Sequence, residues 1–136
     1  GIELDGLVPK KLYGNTIYED PIETANKYAT LLKKEKKCDL VICLSHLGFK
    51  YKNDKVSDMV LATQSRDIDL IIGGHTHTFL ENPIRLQNLD KEEVLVNQVG
   101  WAGIKLGKVD FHFSQNSGSK KVFGRSIFVK NSSKEA

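Results

Sequence analysis

No apolar run in this chain approaches the length of a bilayer crossing: the longest, Leu40 to Leu44, falls far short of the about 20 residues a spanning helix needs. A transmembrane segment is thereby excluded. Cysteine is scarce, with Cys38 and Cys43 the only two. Were both on one extended segment, a rise of about 3.3 Å per residue would hold them about 16 Å apart and on opposite faces. A disulfide needs Cα atoms within about 7 Å, so these two should not pair, and a disulfide scaffold is ruled out. Excess charge is also small, at 20 Lys and Arg against 17 Asp and Glu. A balance of +3 makes no electrostatic case for nucleic acid or a membrane surface, and Lys33-Lys34-Glu35-Lys36-Lys37 and Lys120-Lys121 read as solvated faces. Repeats and low-complexity stretches are lacking, as are an initiator Met and a signal-peptide pattern around Gly1; the chain reads as a fragment of a longer one, and its compartment stays open. What is present is 136 residues, 40% hydrophobic and 27% charged. That is one globular domain, residues 1–130 with a tail at 131–136, able to bury roughly two-thirds of its unfolded surface without a disulfide or metal.

Asp20-Pro21-Ile22-Glu23 is a helix start: Asp20 can accept from orphan amides, Pro21 suits the first helical position, and Glu23 can complete a capping box. Ile22, Ala25, Ala29 and Leu32 recur at helical spacing, predicting an amphipathic helix over 21–36. Asp39 to Leu44 then reads as a strand buried on both faces. A second helix is expected over 54–65, with Val56, Met59, Val60 and Thr63 on one side, and Asp69-Leu70-Ile71-Ile72-Gly73-Gly74 repeats the buried-strand pattern. Strand, helix and strand at this spacing make a βαβ unit whose strands are parallel and end on the same edge of one sheet. Beyond residue 80, shorter alternating runs at 84–86, 94–99, 104–113 and 121–129, joined by turn chemistry at 89–92 and 116–119, predict antiparallel strands.

Three of the four histidines fall in the loops that leave those parallel strands: His46 in Leu44-Ser45-His46-Leu47-Gly48, and His75 and His77 in Gly73-Gly74-His75-Thr76-His77-Thr78. In open α/β sheets that edge binds ligands, and imidazole is the commonest metal ligand. Gly73 and Gly74 would let the chain turn sharply so that the histidines swing over the edge. His75 and His77 are close enough in sequence to flank two metal ions about 3.5 to 4 Å apart. A hydroxyl triad is not indicated, since Ser45 lacks the nucleophile-elbow pattern. His112 lies between Phe111 and Phe113 and should alternate outward. Trp101 admits two readings, a base-stacking ring or a packing plug. Asn97 and Gln98 likewise could reach a substrate or close a turn. Asp69 reads as a strand-entry residue at the far edge from His75; Glu81 flanks the histidine motif; Gly6 and Gly14 mark loops.

Together, Ser45-His46-Leu47-Gly48 and, after about 25 residues, Ile72-Gly73-Gly74-His75-Thr76-His77-Thr78-Phe79 resemble the last two metal-ligand motifs of calcineurin-like metallophosphoesterases, in their 5′-nucleotidase branch. The run Val94 to Gly103 with Leu106-Gly107-Lys108-Val109-Asp110 is similar to the segment that closes the catalytic domain there. The resemblance implies an α/β fold, the C-terminal half of a four-layer αββα sandwich. It implies that His46 and His75 ligate one ion of a dinuclear centre and His77 the other, with Asn97 and Trp101 as candidate substrate contacts. It further implies two divalent ions of the Zn, Mn, Fe or Co type and hydrolysis of nucleotide phosphate esters. The family's opening motifs, an Asp-x-His, a bridging Asp and an Asn-His-Glu or Asn-His-Asp, are not found in this chain, so no catalytic residue is assigned within it. Three neutral imidazoles cannot offset two dications, and the chain alone is expected to be inactive. A rival reading is a non-catalytic metal-binding or scaffold fragment that docks onto a partner. A homodimer or partner chain completing the fold is a further expectation, because unpaired edges invite one. A nucleic-acid-binding module would rest only on a pI of 8.8.

Overall fold

The computed structural model describes residues 1–53, 55–114 and 120–129. The expected turn at 116–119, the tail at 131–136 and the first residue of the helix expected over 54–65 lie outside them. A short helix, α1 (Lys10–Tyr13), precedes α2 (Pro21–Thr30), which continues as a wider π-helical stretch, Leu31–Glu35, so that 21–35 of the predicted 21–36 is helical and Lys36 caps it. Asp20 caps α2 as expected, its Oδ1 accepting from the amides of Ile22 and Glu23 at 2.9 and 2.8 Å. Then come β1 (Ile42–Leu44), α3 (Asp58–Gln64), β2 (Leu70–Ile72), β3 (Ile84–Gln87), β4 (Glu93–Asn97), β5 (Lys105–Phe113) and β6 (Lys120–Phe128).

The strands β1 and β2 are parallel, paired Ile42 with Leu70 through Leu44 with Ile72, as the βαβ reading requires. The second half departs from the expected all-antiparallel pattern. Strand β4 enters the same sheet parallel to β2, and only β3 runs antiparallel to it, giving the order β1-β2-β4-β3. A two-residue alternation cannot distinguish a central parallel strand from an antiparallel one; the burial of Val94, Leu95, Val96 and Asn97 on both faces does. Strands β5 and β6 form a separate antiparallel hairpin.

Two cores flank the four-stranded sheet. On one side Ile71, Val94 and Val96 meet Ala29, Leu61, Ala62 and Ile68; on the other Leu70 and Leu95 meet Val122, Val109 and Phe111 of the hairpin. The described residues therefore build helix, sheet and sheet layers. Helix α3 buries Asp58, Leu61 and Ala62, whereas Thr63 of the face expected from Met59, Val60 and Thr63 is exposed. Ser57 caps the helix, its side chain accepting from Val60 N, and packing turns the stripe of Asp58, Leu61 and Ala62 inward.

Strand β1 corrects a second expectation. Its neighbour-facing Cys43 packs into the helical core, but Ile42 is 45% and Leu44 80% exposed. Strand alternation and register place both on the hairpin side of the sheet, with Ile72, beyond the hairpin's cover. Both cysteines are free. Of the Phe111-His112-Phe113 alternation, Phe111 points in and His112 out against Phe123, while Phe113 at the strand end is exposed.

At the other end of the strands, Asp69 is 4% exposed and binds the chain entry together, as its sequence position suggested. Its Oδ2 accepts from Val41 N at 2.7 Å and Lys33 Nζ at 3.1 Å, and its Oδ1 pairs with Lys120. One carboxylate thus ties β1, α2's extension and β6 to β2.

Candidate metal centre

Parallel pairing brings the C-terminal ends of β1 and β2 side by side, so Ser45 N donates to Ile72 O at 2.8 Å just where both loops begin. From these ends His46 and His75 face each other, ring centroids 5.2 Å apart and 66° between planes. His77 is turned elsewhere, its ring stacked on Trp101 at 5.9 Å and 17°. Trp101 is 58% exposed.

Gly73 and Gly74 are not the residues that turn. Neither has a positive φ; the left-handed positions are His75 at 70° and His77 at 53°. The glycines are needed for close approach. A Cβ on Gly73 would stand 2.9 Å from Cγ of Asp58, with Oδ2 nearer still, and one on Gly74 would stand 3.2 Å from Nδ1 of His46. The Gly-Gly pair therefore admits a carboxylate beneath the loop and an imidazole beside it.

Asp58 was not foreseen as a site residue, because an acidic residue at a helix start is ordinary surface chemistry. Here it is fully buried, accepting from Ser45 Oγ at 2.5 Å, while Oδ2 has no partner among the described residues. Burial pushes its carboxyl above the usual range, against the opposing pull of the Ser45 hydroxyl and of His46. His75 moves the other way: partial burial first, then the nearby cationic forms of His46, Lys55 and His77, hold its imidazole below its ordinary value. That favours the neutral ring a metal binds.

The loop is braced from below by Gln98, 1% exposed at the end of β4, and by Thr76, whose hydroxyl accepts from Phe49 N at 2.9 Å. Asn97, 5% exposed, packs its amide against Gly107 of β5, its Oδ1 unpartnered among the described residues. Glu81 is exposed.

Among the described residues, no group of three or more His, Cys, Asp or Glu side chains gathers closely enough to hold an ion. The facing pair nevertheless has the ring separation of two imidazoles on one ion. With metal–nitrogen bonds of about 2.0–2.1 Å plus the ring radius, two imidazoles on a tetrahedral metal have centroids about 5 Å apart, and the observed pair stands at 5.2 Å.

The profile of the calcineurin-like phosphoesterases matches residues 6–79, more than half of the chain and both histidine loops. A trifunctional nucleotide phosphoesterase of Bacillus subtilis is 34% identical over 99 residues, 73% of this chain and 6% of that protein. An apyrase of Tabanus yao is 28% identical over 131 residues, 85% of this chain and 23% of the relative. Among solved structures, the 5′-nucleotidase precursor of Thermus thermophilus superposes with a TM-score of 0.69 at 26% identity, over 81% of this chain and 23% of that one. The chain thus spans less than a quarter of the length of each of these relatives. A family profile laid over both loops, and a shared sheet that carries them, make this chain a member of the calcineurin-like phosphoesterases, in their 5′-nucleotidase branch.

Proposed function

We propose that this chain supplies the histidine side of a dinuclear metal centre that hydrolyses nucleotide-type phosphate esters. The facing pair His46 and His75, on adjacent parallel strand ends, carries this reading. His46 and His75 would hold one ion, and His77, two residues on but turned to Trp101, the other. The ions, when bound, supply Lewis acidity toward the phosphoryl oxygens and toward water. The chain's own part is to present imidazoles from two adjacent strand-end loops and, through the exposed face of Trp101, to offer a ring for a nucleobase. Asn97, buried against Gly107, serves in this reading as a strut between β4 and β5.

Two dications about 3.5 to 4 Å apart repel strongly, and three neutral rings cannot offset that charge. We therefore place the anionic ligands outside these 136 residues. The bare strip of Ile42, Leu44 and Ile72, beside an edge of β1 that pairs with no strand among the described residues, supports a second chain or segment completing the sheet. The nucleotide phosphoesterase, apyrase and 5′-nucleotidase names of the relatives support the substrate class.

The test measures Zn2+ and Co2+ binding by calorimetry and phosphate release from AMP and p-nitrophenyl phosphate. The 136-residue chain should bind an ion weakly, lose it in His46→Ala and His75→Ala, and release no phosphate. A chain extended upstream should turn over, and His75→Ala should abolish it. Absence of binding by the wild-type chain would overturn the metal reading; turnover by the short chain, abolished by His75→Ala, would overturn the placement of the missing ligands.

A further inference from the structure

Gln98 follows the apolar run of β4 and is almost completely buried, and its primary amide makes three hydrogen bonds to one loop. Its Nε2 donates to Gly74 O at 2.7 Å. Its Oε1 accepts from the Thr76 hydroxyl at 3.0 Å and from Thr78 N. These three partners are residues 74, 76 and 78, so each of His75 and His77 is bracketed on both sides by a residue tied to the same side chain. The bracketed residues are also the two in this loop that hold left-handed backbone, a conformation that non-glycine residues avoid and that persists only when the surroundings over-determine it. Carbonyl 74 and amide 78 are backbone groups, so holding them holds the dihedrals between them.

The side chain is itself held. Asn97 O accepts from Gly73 N at 2.8 Å and Gln98 O from Leu80 N at 3.1 Å, locking β4 to both ends of the loop. The missing Cβ of Gly73 leaves the amide its place: a methyl there would stand 3.2 Å from Nε2. Only a side chain of this length that carries a donor and an acceptor makes all three contacts. An ionised glutamate lacks the donor for Gly74 O, and methionine, of similar volume, lacks the donor and offers only a weak sulfur acceptor.

We infer that Gln98 is a positioning residue for the metal centre, its buried amide setting the backbone of residues 74–78 so that His75 and His77 are presented for ion binding. This rests on the reading of those histidines as ligands. Groups that orient metal ligands from behind typically contribute about 10–100-fold in affinity, and Gln98 acts on two ligands at once.

The experiment compares the wild-type chain with Gln98→Met and with Asn88→Ala, which removes the buried acceptor of the β3–β4 turn. Zn2+ affinity is measured by competition with a chromophoric chelator, amide exchange at Thr78 by NMR without metal, and stability by urea. Gln98→Met should weaken Zn2+ binding by about 10–100-fold and speed exchange at Thr78. Asn88→Ala should lower the urea midpoint while leaving affinity in place. Zn2+ affinity of Gln98→Met indistinguishable from wild type, beside loss in His75→Ala, would overturn the positioning role alone. Failure of the wild type to bind Zn2+ with Thr78 protected would overturn the metal reading, and this inference with it. Should Gln98→Met not fold, exchange at Thr78 in the wild type decides: protection supports the clamp, and exchange at the rate of an open loop overturns it.

Discussion

The two neighbouring glycines of the histidine loop should fail differently when each gains one methyl group. In Gly73→Ala the new Cβ would lie 2.9 Å from Asp58 Cγ and closer to Oδ2, below any spacing real side chains show. Asp58 cannot retreat: it is fully buried on α3, its carboxylate is held by Ser45 Oγ at 2.5 Å, and its amide donates to Gly48 O at 2.8 Å. Overpacking of this kind costs about 1–3 kcal/mol. Restricting the unfolded chain by a glycine-to-alanine change returns about 0.4–1 kcal/mol. The net is a destabilisation of about 1 kcal/mol, which at a urea slope of about 1–3 kcal/mol per molar moves the midpoint by roughly 0.5 M. In Gly74→Ala the nearest atom is Nδ1 of His46 at 3.2 Å, and a shift of a few tenths of an ångström relieves it. Stability should change by about 0.5 kcal/mol or less, but the displaced ring is a proposed ligand, so Zn2+ affinity should fall. Urea unfolding followed by far-UV circular dichroism, with Zn2+ titration of the same samples, reads both. Gly73→Ala as stable as wild type would refute the close approach of Asp58 to the loop; Gly74→Ala binding Zn2+ like wild type would refute the packing of His46 on that glycine.

Asp58 should leave a signature in the pH dependence of stability. Its folded carboxyl is raised by burial, so the folded chain holds that proton more tightly than the unfolded one. Ionisation of Asp58 therefore opposes folding above the raised value, and its contribution grows more favourable as pH falls through that value toward the ordinary carboxylate range. In chelator, the stability of wild type relative to Asp58→Asn should rise as pH drops from neutrality; a flat or opposite trend in urea unfolding would count against burial of the charge. Asp69→Ala strands Val41 N and two lysines and should cost about 2–3 kcal/mol, with Asp69→Asn less damaging because it keeps an acceptor; equal stability of all three by thermal unfolding would remove Asp69 as a tie. Leu44→Lys, at an 80% exposed position, should change stability by less than about 0.5 kcal/mol; on the proposal that a second copy covers this strip it should also lower the sedimentation coefficient at high concentration, and an unchanged profile would show that the strip makes no such contact.

Sequence alone determined much of this chain's character through local chemistry. The Asp20-Pro21 start of α2, the parallel run of β1 and β2, and the arrival of His46 and His75 at one sheet edge all follow from capping groups, apolar spacing and the topology of a βαβ crossover. The motifs around those histidines likewise point to the phosphoesterase family by themselves. What only tertiary structure decided are facts about neighbours far apart in the chain. That β4 lies parallel beside β2 is a matter of sheet order, which alternation does not encode. That Ile42 and Leu44 stand bare depends on what covers them, not on their own hydrophobicity. Asp58 becomes a buried carboxylate only because α3 is laid under a loop whose glycines lack side chains, and Gln98 becomes a clamp only because β4 ends beneath residues 74–78. Even the turning of His77 toward Trp101 joins residues 24 positions apart. Residue type and spacing specify which groups can do chemistry; burial and the partner across the sheet specify which of them are held in place to do it.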